Sequence, residues 1–178
     1  MKGIVFTEFL DFVAEQHDED TVDDIIDANT LPSGGAYTSV GTYNHEELGL
    51  LCQTLAEHTG TPPEQIVKDF GFRLSSTFAK NYADFFSRCN HYFDFLESIE
   101  EHIHKEVRKL YPDAELPTFV VRSRTDTCLI MEYTSPRHFS ALALGLLEGT
   151  ARHFNKKVQI KSEACAAKDT VRFIIDMI

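Results

Sequence analysis

The sequence predicts an α+β fold: a helical N-terminal subdomain packed on a C-terminal subdomain with a four-stranded antiparallel sheet and further helices. Three observations predict it. Apolar residues recur at helical spacing through the first two thirds of the chain, and two-residue alternation replaces that spacing after Pro117. The strand-like runs come in the order β-β-α-β-β, which suits an antiparallel sheet with its helices segregated to one side.

Each element has its own signal. Ile4, Val5, Phe6, Phe9, Leu10, Phe12 and Val13 form a broad apolar stripe, so a helix begins almost at residue 1. A second helix covers about 20–28, and the Gly, Ser and Pro content of 31–43 marks a loop. Asn44 caps a third helix that stops at Gly60. Thr61-Pro62-Pro63-Glu64 reads as a capping box with proline at the first helical position, opening a helix through Phe70. Phe-rich helical pieces come next. A long helix then runs from about Tyr92 to Leu110 and is closed by Pro112.

FVVRSR and TCLIMEYT are strands joined by a polar turn at Thr125-Asp126. A helix is expected from Pro136 to about Phe154, and KKVQIKSEA with TVRFIIDMI forms a closing hairpin. The chain contains no repeat, low-complexity segment or flexible linker.

Composition excludes some classes of function. The formal net charge is −11, opposite to the basic footprint that nucleic-acid phosphates demand. The acidic run at 15–27 reads as a solvated helix face. Cys52, Cys89, Cys128 and Cys165 lie far apart, without the short spacing of a zinc knuckle or redox dithiol. Glu8 and Asp11 interrupt the apolar N-terminus, so it is neither a signal peptide nor a membrane span. A cytoplasmic protein with reduced thiols, and no membrane insertion, is expected.

Two stretches carry chemistry. Tyr133, Ser135 and Arg137 stand at every second position where a strand runs into Ser-Pro-Arg. In extended chain they share a direction. With Ser135 as N-cap and Pro136 at the first helical position, the helix dipole, a guanidinium and two hydroxyls would converge into a carboxylate or phosphate clamp. The second stretch is EEHIHKEVRKLYPDAELP, 100–117, whose expected buried stripe is Ile99, Ile103, Val107 and Leu110. His102 and His104 lie about 200° apart around a helix, on opposite shoulders of that stripe, and periodicity does not choose between them. A single inward His without a carboxylate partner in register makes a poor acid–base site. It makes a reasonable axial ligand for a cofactor that brings its own metal.

A helix carrying His-x7-Pro, a second proline five residues on, and a strand ending Tyr-x-Ser-x-Arg resemble the H-NOX (haem nitric oxide/oxygen binding) family, stand-alone bacterial type. The resemblance runs from MKGIV through KDFG (68–71) to GLLEG (145–149). It implies haem b between a distal helical subdomain, about 1–60, and a proximal α/β subdomain, about 61–178. The family's proximal ligand falls on His104, and its propionate-holding motif on Tyr133, Ser135 and Arg137. Pro117 matches the proline that presses on the porphyrin, while Val5, Phe9, Phe78, Leu142 and Leu146 would wrap the macrocycle.

The resemblance also bears on which gas is bound. Oxygen-binding members place a tyrosine nine positions past the motif's first Tyr, which here is Leu142, and its supporting Asn and Trp correspond to Leu74 and Phe9. Hydrocarbon at these positions gives bound oxygen no hydrogen-bond donor. The expectation is therefore a ferrous protein that binds nitric oxide and CO and excludes O₂. It has no catalytic activity of its own. It signals through loss of the Fe–His104 bond to a separate histidine kinase or cyclic-di-GMP enzyme. Cys165 has no neighbouring second cysteine, so the zinc site of some relatives is not expected. Three rival readings are an O₂-binding version of the same domain, a cofactor-free adaptor gripping acidic ligands, and a hydrolase using His104 or His102 as base. The hydrolase lacks a nucleophile or oxyanion site near either histidine.

Overall fold

A computed structural model describes residues 1–178. The chain divides into two compact units, Met1–Phe70 and Gly71–Ile178.

The first unit holds α1 (Gly3–Gln16), α2 (Glu19–Asp27), α3 (His45–Thr59) and the opening of α4 (Pro63–Asn81). Local signals account for the ends of these helices. Asp18 caps α2 by accepting from the Thr21 amide at 2.8 Å, and Asn44 caps α3 through the Glu46 amide at 3.1 Å. Gly60 ends α3 in the left-handed region at φ 70°, and its amide closes on the Ala56 carbonyl. Pro63 is the first helical residue of α4. The acidic residues of α2 face solvent while Val22 and Ile25 are buried.

Inside this unit the aromatic side chains do most of the packing. Phe9 is fully buried against Phe70, with centroids 5.2 Å apart edge to face, and Phe12 adds a contact at 6.2 Å. Phe6 stacks on Tyr37 at 4.6 Å, which draws the 31–43 loop onto α1. Glu47, a buried carboxylate on α3, ties down the same loop by accepting from the Ser33 and Tyr37 hydroxyls.

The second unit contains the rest of α4, then α5 (Ala83–Ser87), α6 (Tyr92–Ser98), a π-helical turn (Ile99–Ile103), α7 (His104–Leu110), β1 (Thr118–Arg124), β2 (Cys128–Thr134), α8 (Ser140–His153), β3 (Val158–Ala164) and β4 (Thr170–Met177). The sheet is fully antiparallel in the order β1-β2-β4-β3. Alternation along β2 buries Leu129, Met131 and Tyr133, and β4 adds Phe173 and Ile175. Tyr92, Phe93, Phe95 and Leu96 of α6, with Ala143, Leu147 and Ala151 of α8, complete this core. The Tyr92 hydroxyl is satisfied by the Leu147 carbonyl at 2.9 Å.

Three expectations need correction. First, α4 runs to Asn81 instead of ending at Phe70. Its extension is held by close packing on α8. A Cβ added at Gly71 would lie 2.4 Å from the Leu142 carbonyl oxygen, and one at Gly149 would lie 2.0 Å from Ser75 Oγ. Second, α8 starts at Ser140, not Pro136, because the chain turns through a positive φ of 56° at His138. Third, the Tyr92–Leu110 helix is interrupted by a π turn in which the His104 amide reaches back to the Ile99 carbonyl. The extra residue rotates the side chains of α7 about the helix axis. Leu110, expected in the buried stripe, is 70 % exposed on the last turn.

Two measurements check this packing. Gly149→Ala should destabilise the protein by about 1–3 kcal/mol, the usual cost of overpacking, read from the denaturant midpoint. Burial pushes the Cys52 thiol up to about 12, so under native conditions Cys52 should be the last of the four cysteines alkylated by iodoacetamide.

Candidate functional site

His104 occupies the first position of α7, at the end of the π turn, and is 9 % exposed. His102, two residues earlier within the turn, is exposed. Burial thus distinguishes two histidines that periodicity could not.

Sequence reasoning found no carboxylate partner for an inward histidine, and the structure corrects that. Glu100 Oε2 lies 3.0 Å from His104 Nδ1. The same oxygen accepts from the Phe119 amide of β1 at 3.3 Å, and Arg108 donates to Oε1 at 3.0 Å. The relevant signal was the i, i+4 spacing of Glu100 and His104, which places both on one helix face.

The electrostatics of this group fix its protonation. Burial pushes the Glu100 carboxyl up, but hydrogen bonds from Arg108, His104 and Phe119 outweigh it and hold the group below its ordinary value. Burial holds the His104 imidazole below its ordinary value, with the Glu100 hydrogen bond opposing. A neutral imidazole beside an ionised carboxylate carries its hydrogen on Nδ1, and its lone pair is then on Nε2. Nε2 makes no hydrogen bond in the structure. This is the form in which histidine ligates a metal.

Phe119 joins this corner to the Tyr-x-Ser-x-Arg motif. Its ring lies 6.0 Å from His104 and 5.3 Å from Tyr133, its cross-strand partner. Tyr133 and Ser135 are buried. Burial raises the Tyr133 phenol, with Ser135 and the Arg137 charge opposing. The three motif residues do come together, but no helix N-terminus supports them. Ser135 is not an N-cap. Its amide donates to the Asp169 carbonyl at 3.0 Å and its hydroxyl accepts from the Arg137 amide at 3.3 Å. The Arg137 side chain is 13 % exposed and donates to Glu115 at 2.6 Å. One guanidinium nitrogen is thus paired with a carboxylate oxygen, the kind of group an arginine recognises.

The apolar candidates divide by element. On α4, Leu74 is buried and Phe78 half-buried, one and two turns beyond Gly71. On α8, Leu142 and Leu146 are half-buried, one turn apart. Pro117, directly before β1, and Val5 on α1 are also half-buried. Phe9 belongs to the core of the first unit. Partly exposed hydrocarbon on neighbouring turns is a surface that an apolar cofactor can cover.

The chemistry of the residues present fits a haem: a buried imidazole whose Nε2 is free, a guanidinium and two hydroxyls suited to carboxylates, and partly exposed hydrocarbon on α4 and α8. The comparisons with known proteins agree. The Haem-NO-binding family model matches residues 2–162. The unliganded Fe(II) H-NOX protein from K. algicida is 40% identical, with a TM-score of 0.94 over 100% of this chain and 97% of that one. The S. oneidensis H-NOX protein in its Fe(II)NO state is 29% identical, with a TM-score of 0.91 over 100% of this chain and 99% of that one. The Shewanella oneidensis H-NOX domain in its Fe(II)CO state, at 29% identity, has a TM-score of 0.88 over 100% and 99% of the two chains. No curated protein matches significantly. No helix is long and apolar enough to cross a membrane. The chain belongs to the H-NOX family of non-catalytic, haem-binding domains.

Proposed function

We propose that this protein is a haem-based gas sensor that binds nitric oxide and CO, excludes O₂, and reports its state to a separate effector protein. The observation that carries this reading is the buried His104, with Nδ1 engaged by Glu100 and Nε2 free. Bound haem would supply a ferrous iron able to take up the gas, with His104 as its protein ligand.

This chain's residues supply the rest. His104 would hold the iron, and α7, which carries it, would pass on the state of that bond. Tyr133, Ser135 and Arg137 hold the propionates. Pro117 would press on the macrocycle, and Val5, Phe9, Leu74, Phe78, Leu142 and Leu146 would wrap it, about 1–60 forming the distal subdomain and about 61–178 the proximal one. The effector is a histidine kinase or a cyclic-di-GMP enzyme, distinguishing two states of α7. The relatives with NO and CO bound support the choice of ligands.

Exclusion of oxygen is supported by where the phenols point. Of the chain's six tyrosines, Tyr37 donates to Glu47, Tyr43 accepts from the Thr38 amide, Tyr92 donates to the Leu147 carbonyl, and Tyr133 is buried beside Phe119. Tyr82, one tyrosine that could have replaced the missing donor at Leu142, is 38% exposed. Hydrocarbon at Leu142, Leu74 and Phe9 leaves bound oxygen without a hydrogen-bond partner.

The test is an absorption spectrum of the purified ferrous protein with and without nitric oxide. The expected result is a red protein whose spectrum changes to that of a haem without a histidine ligand; a colourless protein that takes up no added haem would contradict it. His104→Gly should lose haem or require added imidazole to keep it, while His102→Ala keeps it. In air, the ferrous protein should form no stable oxygen complex, and a persistent oxy-haem spectrum would favour the oxygen-binding reading.

A further inference from the structure

We infer that Glu100 is a positioning residue that sets the strength of the bond His104 makes to iron, and that Arg108 moderates it from the opposite side of the same carboxylate. The inference rests on His104 being the axial ligand, and extends it to a residue that family resemblance did not mark.

The geometry is specific. Glu100 touches His104 at the ring nitrogen remote from the metal, so it acts on the ligand and not on the gas. A carboxylate accepting from Nδ1–H draws the proton toward itself and raises the electron density at Nε2, which strengthens that nitrogen as a donor. The same carboxylate is shared. Oε2 also accepts from the Phe119 amide at 3.3 Å, and Oε1 accepts from Arg108 at 3.0 Å. Arg108 draws charge away from the oxygen that faces the imidazole, so the guanidinium weakens what the carboxylate supplies.

Placement makes the effect local. Glu100 lies near the start of the π turn and His104 closes it, with the His104 amide bonded to the Ile99 carbonyl. The carboxylate also bridges this turn to β1 through the Phe119 amide. When His104 leaves the iron, the imidazole stays attached to a group anchored on the sheet. Glu100 therefore governs both how readily His104 lets go and how far its ring can move.

Two substitutions should act in opposite directions. Glu100→Gln keeps the shape and an acceptor for Phe119 but replaces an anionic acceptor with a neutral one. In the haem-loaded ferrous protein, resonance Raman should show the iron–histidine stretch at lower frequency than in the unsubstituted protein. Stopped-flow mixing with nitric oxide should show His104 leaving about tenfold faster, the lower end of the effect of removing such a partner. Arg108→Met removes the competing guanidinium from a half-exposed position. Its stretch should move to higher frequency, with slower loss of histidine. A merely structural role predicts changes in stability or haem content without opposed shifts of this band. Unchanged frequencies in both variants, or shifts of the same sign, overturn the inference while leaving the gas-sensing function standing. If Glu100→Gln fails to fold, the direction of the Arg108→Met shift alone decides. Failure of the unsubstituted protein to take up haem overturns the functional reading, and this inference with it.

Discussion

The structure depends on the environment of one side chain. Burial disfavours the charged form of the His104 imidazole, with Glu100 opposing, and its two nitrogens are used differently. Glu100 engages Nδ1 and leaves Nε2 with a lone pair and no protein partner. Without that carboxylate the ring could present either nitrogen and rotate about its side-chain bonds. With it, one tautomer and one orientation are favoured. The ion pair with Arg108 and the Phe119 amide keep Glu100 ionised although it is partly buried.

The surrounding fold serves to present that side chain. A straight helix through 92–110 would keep to one periodic stripe, whereas the π turn at Ile99–Ile103 adds a residue and changes which side chains face inward at His104. β1 stands against this turn and contributes the Phe119 amide and ring. Through the cross-strand pair Phe119–Tyr133 the same sheet leads to the motif at Ser135 and Arg137. Buried imidazole, its hydrogen-bonded carboxylate and the Tyr-x-Ser-x-Arg motif thus lie on one compact unit, joined through Phe119.

Much of this was legible in the sequence because local chemistry dictates it. Asn44 and Gly60 bound α3 through their own hydrogen bonds and backbone angles, and the alternation of Leu129, Met131 and Tyr133 is a property of extended chain. The motif residues were found for the same reason. The features that were not legible required partners distant in sequence. Ser135-Pro136 carries the signature of a helix start, but the Ser135 amide is claimed by the Asp169 carbonyl and the helix waits until Ser140. The sequence pattern carried α4 only as far as Phe70. The missing Cβ atoms at Gly71 and Gly149 let α4 and α8 approach closely, and the helix continues. Glu100 was missed because a carboxylate four residues before a histidine is common on exposed helices. Burial alone gives that spacing its meaning.

The most direct measurement is a crystal structure of the ferrous, haem-loaded protein. The account predicts iron bonded to His104 Nε2, with Glu100 still within hydrogen-bonding distance of Nδ1 and the propionates at Tyr133, Ser135 and Arg137. Iron held by another residue, or by Nδ1 with Glu100 turned away, would contradict it.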